Sequence, residues 1–132
     1  MRDVLFVIGS ESDRDRVEPG IELLDEKGLS YELKVLSAHR NLPELLDFLK
    51  NGAAEFRVVI AAAGLSAALP GVVASQVEQP VIGIPLESGA LSGIDALLSI
   101  LQLPKGVPVA TMGIGKQGVL NAIHFAERIV RI

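Results

Sequence analysis

Short apolar runs alternate with longer stretches of helical period from one end of the chain to the other. Val4–Ile8 (VLFVI), Val58–Ala62 (VVIAA), Val81–Ile84 (VIGI) and Val107–Met112 (VPVATM) are nearly continuous apolar segments. Such runs fit parallel strands covered on both faces. Tyr31–Leu36 (YELKVL) alternates polar and apolar positions and predicts a second strand closer to a sheet edge. Helices are predicted over Asp13–Lys27, closing on Gly28, and over Asn41–Lys50, with Asn41 as cap and Pro43 in the first turn. Ala67–Gln76, Ile94–Leu101 and Lys116–Arg131 complete the set. Pro19–Gly20 falls inside the first helix and predicts a kink or an interruption there. Five βα units, without repeats or linkers, predict one α/β domain over residues 1–132. The expected architecture is a three-layer αβα sandwich around a parallel, doubly wound sheet of flavodoxin-like order 2-1-3-4-5. In such sheets ligands bind beyond the carboxyl ends of the strands, so the loops after the strands are where chemistry is expected.

Composition narrows the class. With 49% apolar residues in 132 and a mean hydropathy of +0.43, a large core is expected and a disordered chain is excluded. Cysteine is absent, which rules out disulfides, thiolate metal sites and a cysteine nucleophile. The Val4–Ile8 run is too short for a signal or membrane segment, so the chain reads as soluble and cytoplasmic, with no membrane partner. A net charge of −4 argues against a nucleic-acid partner, which usually meets a basic face. A small phosphate ester is still compatible, because local amides and one arginine decide such binding.

Two loops carry the sharpest candidates. Gly9-Ser10-Glu11-Ser12-Asp13 offers hydroxyls, a carboxylate and a helix N-terminus that suits a phosphate. Ser12 or Asp13 as a simple helix cap is an equal alternative. Ser37-Ala38-His39-Arg40-Asn41 sets a group able to titrate near neutral pH beside a permanent cation. Arg40 is the candidate to grip phosphate and His39 to carry a proton, and the 2-1-3-4-5 order puts this loop beside the first. The nearly uncharged segment Ala63-Gly64-Leu65-Ser66-Ala67-Ala68-Leu69-Pro70-Gly71 would let a substrate approach the backbone, or serve as a close-packed helix entry. The segment Pro85–Gly93 is long enough to cover a site or to meet another subunit.

Other features are weaker. Gly113-Ile-Gly115-Lys116-Gln-Gly118 matches G-x-G-x-x-G, but a dinucleotide site needs an acidic residue about 20 positions on, after a further strand. The chain reaches Ile132 too soon for that, through a helical pattern. His124, between Ile123 and Phe125, is expected to pack or to sit in an interface. Lys116 is expected to face a neighbouring loop. With no His pair at ligand spacing and no acidic cluster, a metal is not expected.

Taken together, Gly9-Ser10-Glu11-Ser12-Asp13 and Ser37-Ala38-His39-Arg40 resemble the PurE family of aminoimidazole ribonucleotide carboxylases and mutases. The likeness runs on through Leu69–Ala74, Pro80–Pro85, Gly93–Ile100, Pro104–Thr111 and Ile114–Gly118, so it spans nearly the whole chain in order. The resemblance implies a homo-octamer with active sites near subunit contacts. It implies that residues matching Ser10, Asp13, Ser37 and Arg40 hold phosphate and ribose, and that His39 is the catalytic histidine. Ala38, Gly64, Ser66 and Ala67 are added as substrate-binding positions, the last three for their amides toward CO2 or the new carboxylate. The implied reaction is carboxylation of C4 of 5-aminoimidazole ribonucleotide in purine biosynthesis. The ring is an electron-rich enamine, so C4 can attack CO2 with no cofactor, and a positioned imidazole removes the C4 proton to restore aromaticity.

Three departures qualify the likeness. Where many mutases of the family read Gly-Gly-Ala-Ala-His-Leu-Pro, this chain reads Gly64-Leu65-Ser66-Ala67-Ala68-Leu69-Pro70, with Ala68 in place of a second histidine. The Gly-Leu-Ser opening looks like the branch that uses CO2 directly, so direct carboxylation is the leading expectation and N5-carboxyaminoimidazole ribonucleotide mutase the alternative. The chain also stops at Ile132, short of an extension that many members use in subunit contacts, and Pro19–Gly20 is unusual. A non-catalytic nucleotide-binding member is the alternative of another class. A phosphoacceptor domain lacks its acidic residues here, since Ala61-Ala62-Ala63-Gly64 stands where an Asp should end the third strand. A flavin carrier lacks loop aromatics.

Overall fold

The computed structural model describes all of residues 1–132 and forms a five-stranded sheet in the order β2-β1-β3-β4-β5, every neighbouring pair parallel. The strands are β1 (Arg2–Ile8), β2 (Tyr31–Val35), β3 (Phe56–Ala63), β4 (Val81–Pro85) and β5 (Ala110–Thr111). The helices are α1 (Arg14–Lys27), α2 (Leu42–Asn51), α3 (Leu69–Gln76), α4 (Ile94–Leu101) and α5 (Lys116–Val130). The predicted three-layer sandwich and its strand order are what is found. No helix is long and apolar enough to cross a membrane.

Side-chain alternation divides the core in two. Val4, Phe6 and Ile8 of β1 meet Val58, Ile60 and Ala62 of β3 on one face, beneath Val17, Ile21 and Leu24 of α1 and Val119, Ala122 and Ile123 of α5. Leu5 and Val7 meet Val59 and Ala61 on the other, beneath Leu45 and Leu49 of α2, Leu69 and Val73 of α3, and Ala96 and Ile100 of α4. Each fully buried Leu, Ile or Phe contributes about 1.5–3 kcal/mol by leaving water. β2 is half-buried along its length, as its alternating pattern predicts for an edge.

Three boundaries differ from expectation for physical reasons. β5 holds two residues rather than the six of Val107–Met112. Pro108 has no N–H to give a ladder, and the Val107 N–H turns back to the Pro104 carbonyl at 3.1 Å. α1 is preceded by a 3₁₀ turn, Glu11–Asp13, so the helix proper starts at Arg14. α3 starts at Leu69, two residues after the expected Ala67. At the far end of α1, Gly28 (φ +68°) closes the helix in the left-handed conformation, and the Leu29 N–H reaches the Leu24 carbonyl at 3.1 Å.

Pro19 does not interrupt α1, which runs unbroken to Lys27. The carbonyl that loses a partner is that of Asp15, at the exposed start of the helix, where the loss matters least. Gly20 has a packing role: a Cβ there would stand 2.7 Å from Val119 Cγ1, so its absence lets α1 and α5 approach closely. The same two helices are tied at their far ends by Lys27 Nζ to Glu127 Oε1 at 2.8 Å. Gly20→Ala should therefore destabilise the fold by about 1–2 kcal/mol, because overpacking outweighs alanine's better helix propensity. Val119→Ala should restore much of that loss in the double mutant, a coupling readable by urea denaturation.

Candidate active site

The carboxyl ends of β1, β2, β3 and β4 open onto one cleft of about 800 Å³. Of the predicted site residues, Ser10, Asp13, Ser37, Ala38, His39, Arg40, Gly64 and Ser66 all line it. Ala67 does not. Its methyl is buried in the core beneath the loop.

Two serines shape two of the walls. Ser10 Oγ accepts the Ser12 N–H at 3.3 Å and shares a hydrogen bond with Ser12 Oγ at 2.9 Å, which caps the 3₁₀ turn. The Asp13 N–H donates to the Ser10 carbonyl at 3.0 Å. Across the cleft, Ser37 Oγ accepts from the backbone N–H of His39 at 3.3 Å and of Arg40 at 3.1 Å. Asn41 caps α2 by position only. Its Oδ1 turns back to take the Ser37 N–H at 2.7 Å, and its Nδ2 donates to Glu44 Oε2 at 3.1 Å. The loop backbone is thus held at several points while the side chains of His39 and Arg40 stand exposed toward the cleft.

The third and fourth walls are locked together. A Cβ on Gly64 would overlap the Ser88 hydroxyl, so glycine is needed there for the approach of the β4 loop. The Leu86 N–H reaches the Ala63 carbonyl at 3.0 Å and extends the β3–β4 ladder into the loops. Leu65 follows with φ +57°, an uncommon conformation for a branched residue, and is 54% exposed. Ala68 lines the cleft at the position where the second histidine of the mutase motif would stand.

Asp13 is the one buried charged residue of the protein, 7% exposed. Burial raises its carboxyl above the ordinary aspartate range, and the Arg16 guanidinium, 3.4 Å from Oδ1, pulls it back.

Ser12, Leu65 and Ser88, on loops singled out above but not named as site residues, also line the cleft, as do Asp15 and Arg16 of α1, which were not anticipated. A basic residue in the first turn of a helix was the available signal for Arg16, since cations are disfavoured there. The G-x-G-x-x-G run lies outside the cleft. Gly115 (φ +79°) takes its N–H to the Pro85 carbonyl at 3.1 Å, and a Cβ on Gly118 would overlap the Gly113 carbonyl, so these glycines make a tight entry to α5. His124 and Lys116 are exposed on α5, and His124 packs no core.

Comparison with known proteins agrees with this fold. The family model described as AIR carboxylase matches residues 3–132. The chain belongs to the AIR carboxylase family. It is 50% identical over 127 residues to the N5-carboxyaminoimidazole ribonucleotide mutase of Pseudomonas aeruginosa, covering 94% of this chain and 77% of that protein. It is 44% identical over 133 residues to the protein of the same name from Saccharolobus solfataricus, covering 100% and 83%. A crystal structure of Treponema denticola PurE superimposes with a TM-score of 0.86 at 30% identity, over 98% of this chain and 80% of that one. A type II dehydroquinase from Propionibacterium acnes shares the fold, with a TM-score of 0.65 at 17% identity.

Asp13 makes a stability prediction. Its folded pKa lies above the unfolded value, so the fold favours the neutral acid. That contribution is full below the unfolded pKa and is lost as pH rises through the folded one. At neutral pH the ionised carboxylate therefore works against stability. Asp13→Asn should raise Tm at pH 7 by about 1–4 °C, with the gap narrowing on acidification. A lower Tm in the variant at pH 7 would mean that the Arg16 pair outweighs burial.

Proposed function

We propose that this protein is an N5-carboxyaminoimidazole ribonucleotide mutase of purine biosynthesis, with His39 as the proton-transfer residue. The observation that carries the reading is the exposed His39–Arg40 pair facing Ser10 and Asp13 across one cleft. The relatives named as mutases, at 41–50% identity, favour this activity over the direct carboxylation that Gly64-Leu65-Ser66 suggests by itself. Arg40 and the hydroxyls of Ser10 and Ser12 suit the phosphate, and Asp13 and Ser37 suit hydroxyl and amine groups of the nucleotide. Gly64 and Ser66 border the space where the migrating carboxyl group would lie.

The proton balance suits one imidazole. Protonation of the exocyclic nitrogen by the imidazolium breaks the N–C bond and releases CO2 inside the cleft. The enamine then attacks CO2 through C4, forming the new C–C bond. The neutral imidazole takes the C4 proton, and the ring regains aromaticity with His39 back in its starting form. Such a group contributes about 10²–10⁴-fold to rate.

Direct carboxylation remains the second reading, on the strength of Ala68 in the cleft wall. We infer further that the protein works as a homo-oligomer, an octamer as the family resemblance implies. Leu91, Ile94, Leu98 and Leu101, each more than half exposed, supply an apolar strip on and beside α4 for contact between copies. A cytoplasmic setting is compatible with a chain without cysteine.

Purified protein given N5-carboxyaminoimidazole ribonucleotide should form the C4-carboxylated product faster than with aminoimidazole ribonucleotide and bicarbonate. His39→Asn should lower that rate by about 10²–10⁴-fold. Faster turnover of the second pair assigns direct carboxylation. Turnover of neither above the His39→Asn background would leave a nucleotide-binding protein without this activity.

A further inference from the structure

Two arginines stand in the first turn of α1, where the unpaired N–H groups of the helix disfavour cations. Arg14 is accounted for. Its Nε reaches Glu11 Oε1 at 2.6 Å and its Nη2 reaches Glu11 Oε2 at 3.3 Å, away from the cleft lining. Arg16 has no comparable partner. Its one side-chain contact is Nη1 to Asp13 Oδ1 at 3.4 Å, and it lines the cleft beside that carboxylate. Asp13 makes no capping hydrogen bond to the helix it precedes, so Arg16 is also its one side-chain partner.

We propose that Arg16 is a positioning residue for substrate binding, holding Asp13 as a carboxylate so that both of its oxygens accept from the hydroxyls of a ribose-type sugar. The proposal rests on the nucleotide reading given above. A vicinal diol presents two donors, and an ionised carboxylate answers with acceptors alone, whereas a protonated one turns one oxygen into a donor. A ligand that seals the cleft also removes water from Asp13, so the hold exerted by Arg16 matters more in the complex than in the free protein. The charged groups around Asp13 are few. Arg16 and Asp15 belong to its own helix, and His39 and Arg40 face it from the β2 loop. The β3 and β4 loops contribute Gly64, Leu65, Ser66 and Ser88, none of them charged.

The test compares wild type, Arg16→Gln, Arg16→Lys and Arg14→Gln in the full chain. Arg14→Gln removes the same charge from the same helical turn without touching the cleft. Carboxyl titration of Asp13 by ¹³C NMR is measured in the ligand-free proteins, and kcat and KM for N5-carboxyaminoimidazole ribonucleotide from pH 5 to 8. Arg16→Gln should raise the Asp13 midpoint, move the acid limb of kcat/KM upward in pH, and raise KM by about 3–10-fold with kcat within about twofold. Arg16→Lys should recover part of each effect, and Arg14→Gln should overlay the wild type. An unmoved Asp13 midpoint, or an equal shift in Arg14→Gln, overturns the assignment while wild-type turnover stands. If the wild type turns over neither this nucleotide nor aminoimidazole ribonucleotide with bicarbonate, the nucleotide reading fails, and the sugar-binding role of Arg16 with it.

Discussion

Everything in this protein is placed relative to β1, a strand paired on both edges and covered on both faces. Its backbone groups are taken up by β2 and β3, the side chains of Val4, Phe6 and Ile8 by α1 and α5, and those of Leu5 and Val7 by the opposite layer. No polar group of such a strand can shift without losing a partner that water cannot replace. The Ile8 carbonyl at its end accepts the Leu36 N–H at 2.9 Å, which fastens the exit of β2 to the exit of β1. The Ser37–Arg40 and Ser10–Asp13 loops face each other because of that bond and the parallel register behind it.

The cleft departs from the chemistry of the body. The core is apolar and well satisfied, and no buried side-chain polar atom lacks a partner. At the cleft the same chain buries a carboxylate, keeps Arg16 at a helix N-terminus and holds a leucine in the left-handed region. Each of these opposes stability or local preference, and their concentration at one end of the sheet marks that end as the place where function has shaped the sequence.

Much of this was readable from the order of residues. The alternation of apolar runs and helical stretches leads to the observed topology, because a strand buried on both faces and an amphipathic helix leave different periods. The last strand was overdrawn, since hydropathy does not register that Pro108 cannot join a ladder. Pro19 was overweighted, since the local rule ignores how close the affected carbonyl lies to the helix start. Within the cleft, the strand-end loops were legible as loops, but not every residue of theirs that lines it, nor those that α1 brings to it. Arg16 lies in what reads as a solvated helix face, and Ser88 enters through a contact with Gly64 that no local pattern encodes. Ala67 shows a further limit, since membership of a loop does not tell which way a methyl points.

Leu65 stands where glycine would be the easy choice. A Cβ on Gly89 would collide with its side chain, so the leucine lies across the β4 loop and joins two walls of the cleft. Glycine would relieve the backbone and release both loops into a wider set of shapes. By retaining a branched residue at φ +57°, the chain narrows that set before any ligand arrives. Less disorder is then left to lose on binding, and the rim of the cleft is part of its preorganisation rather than a flap that must be recruited.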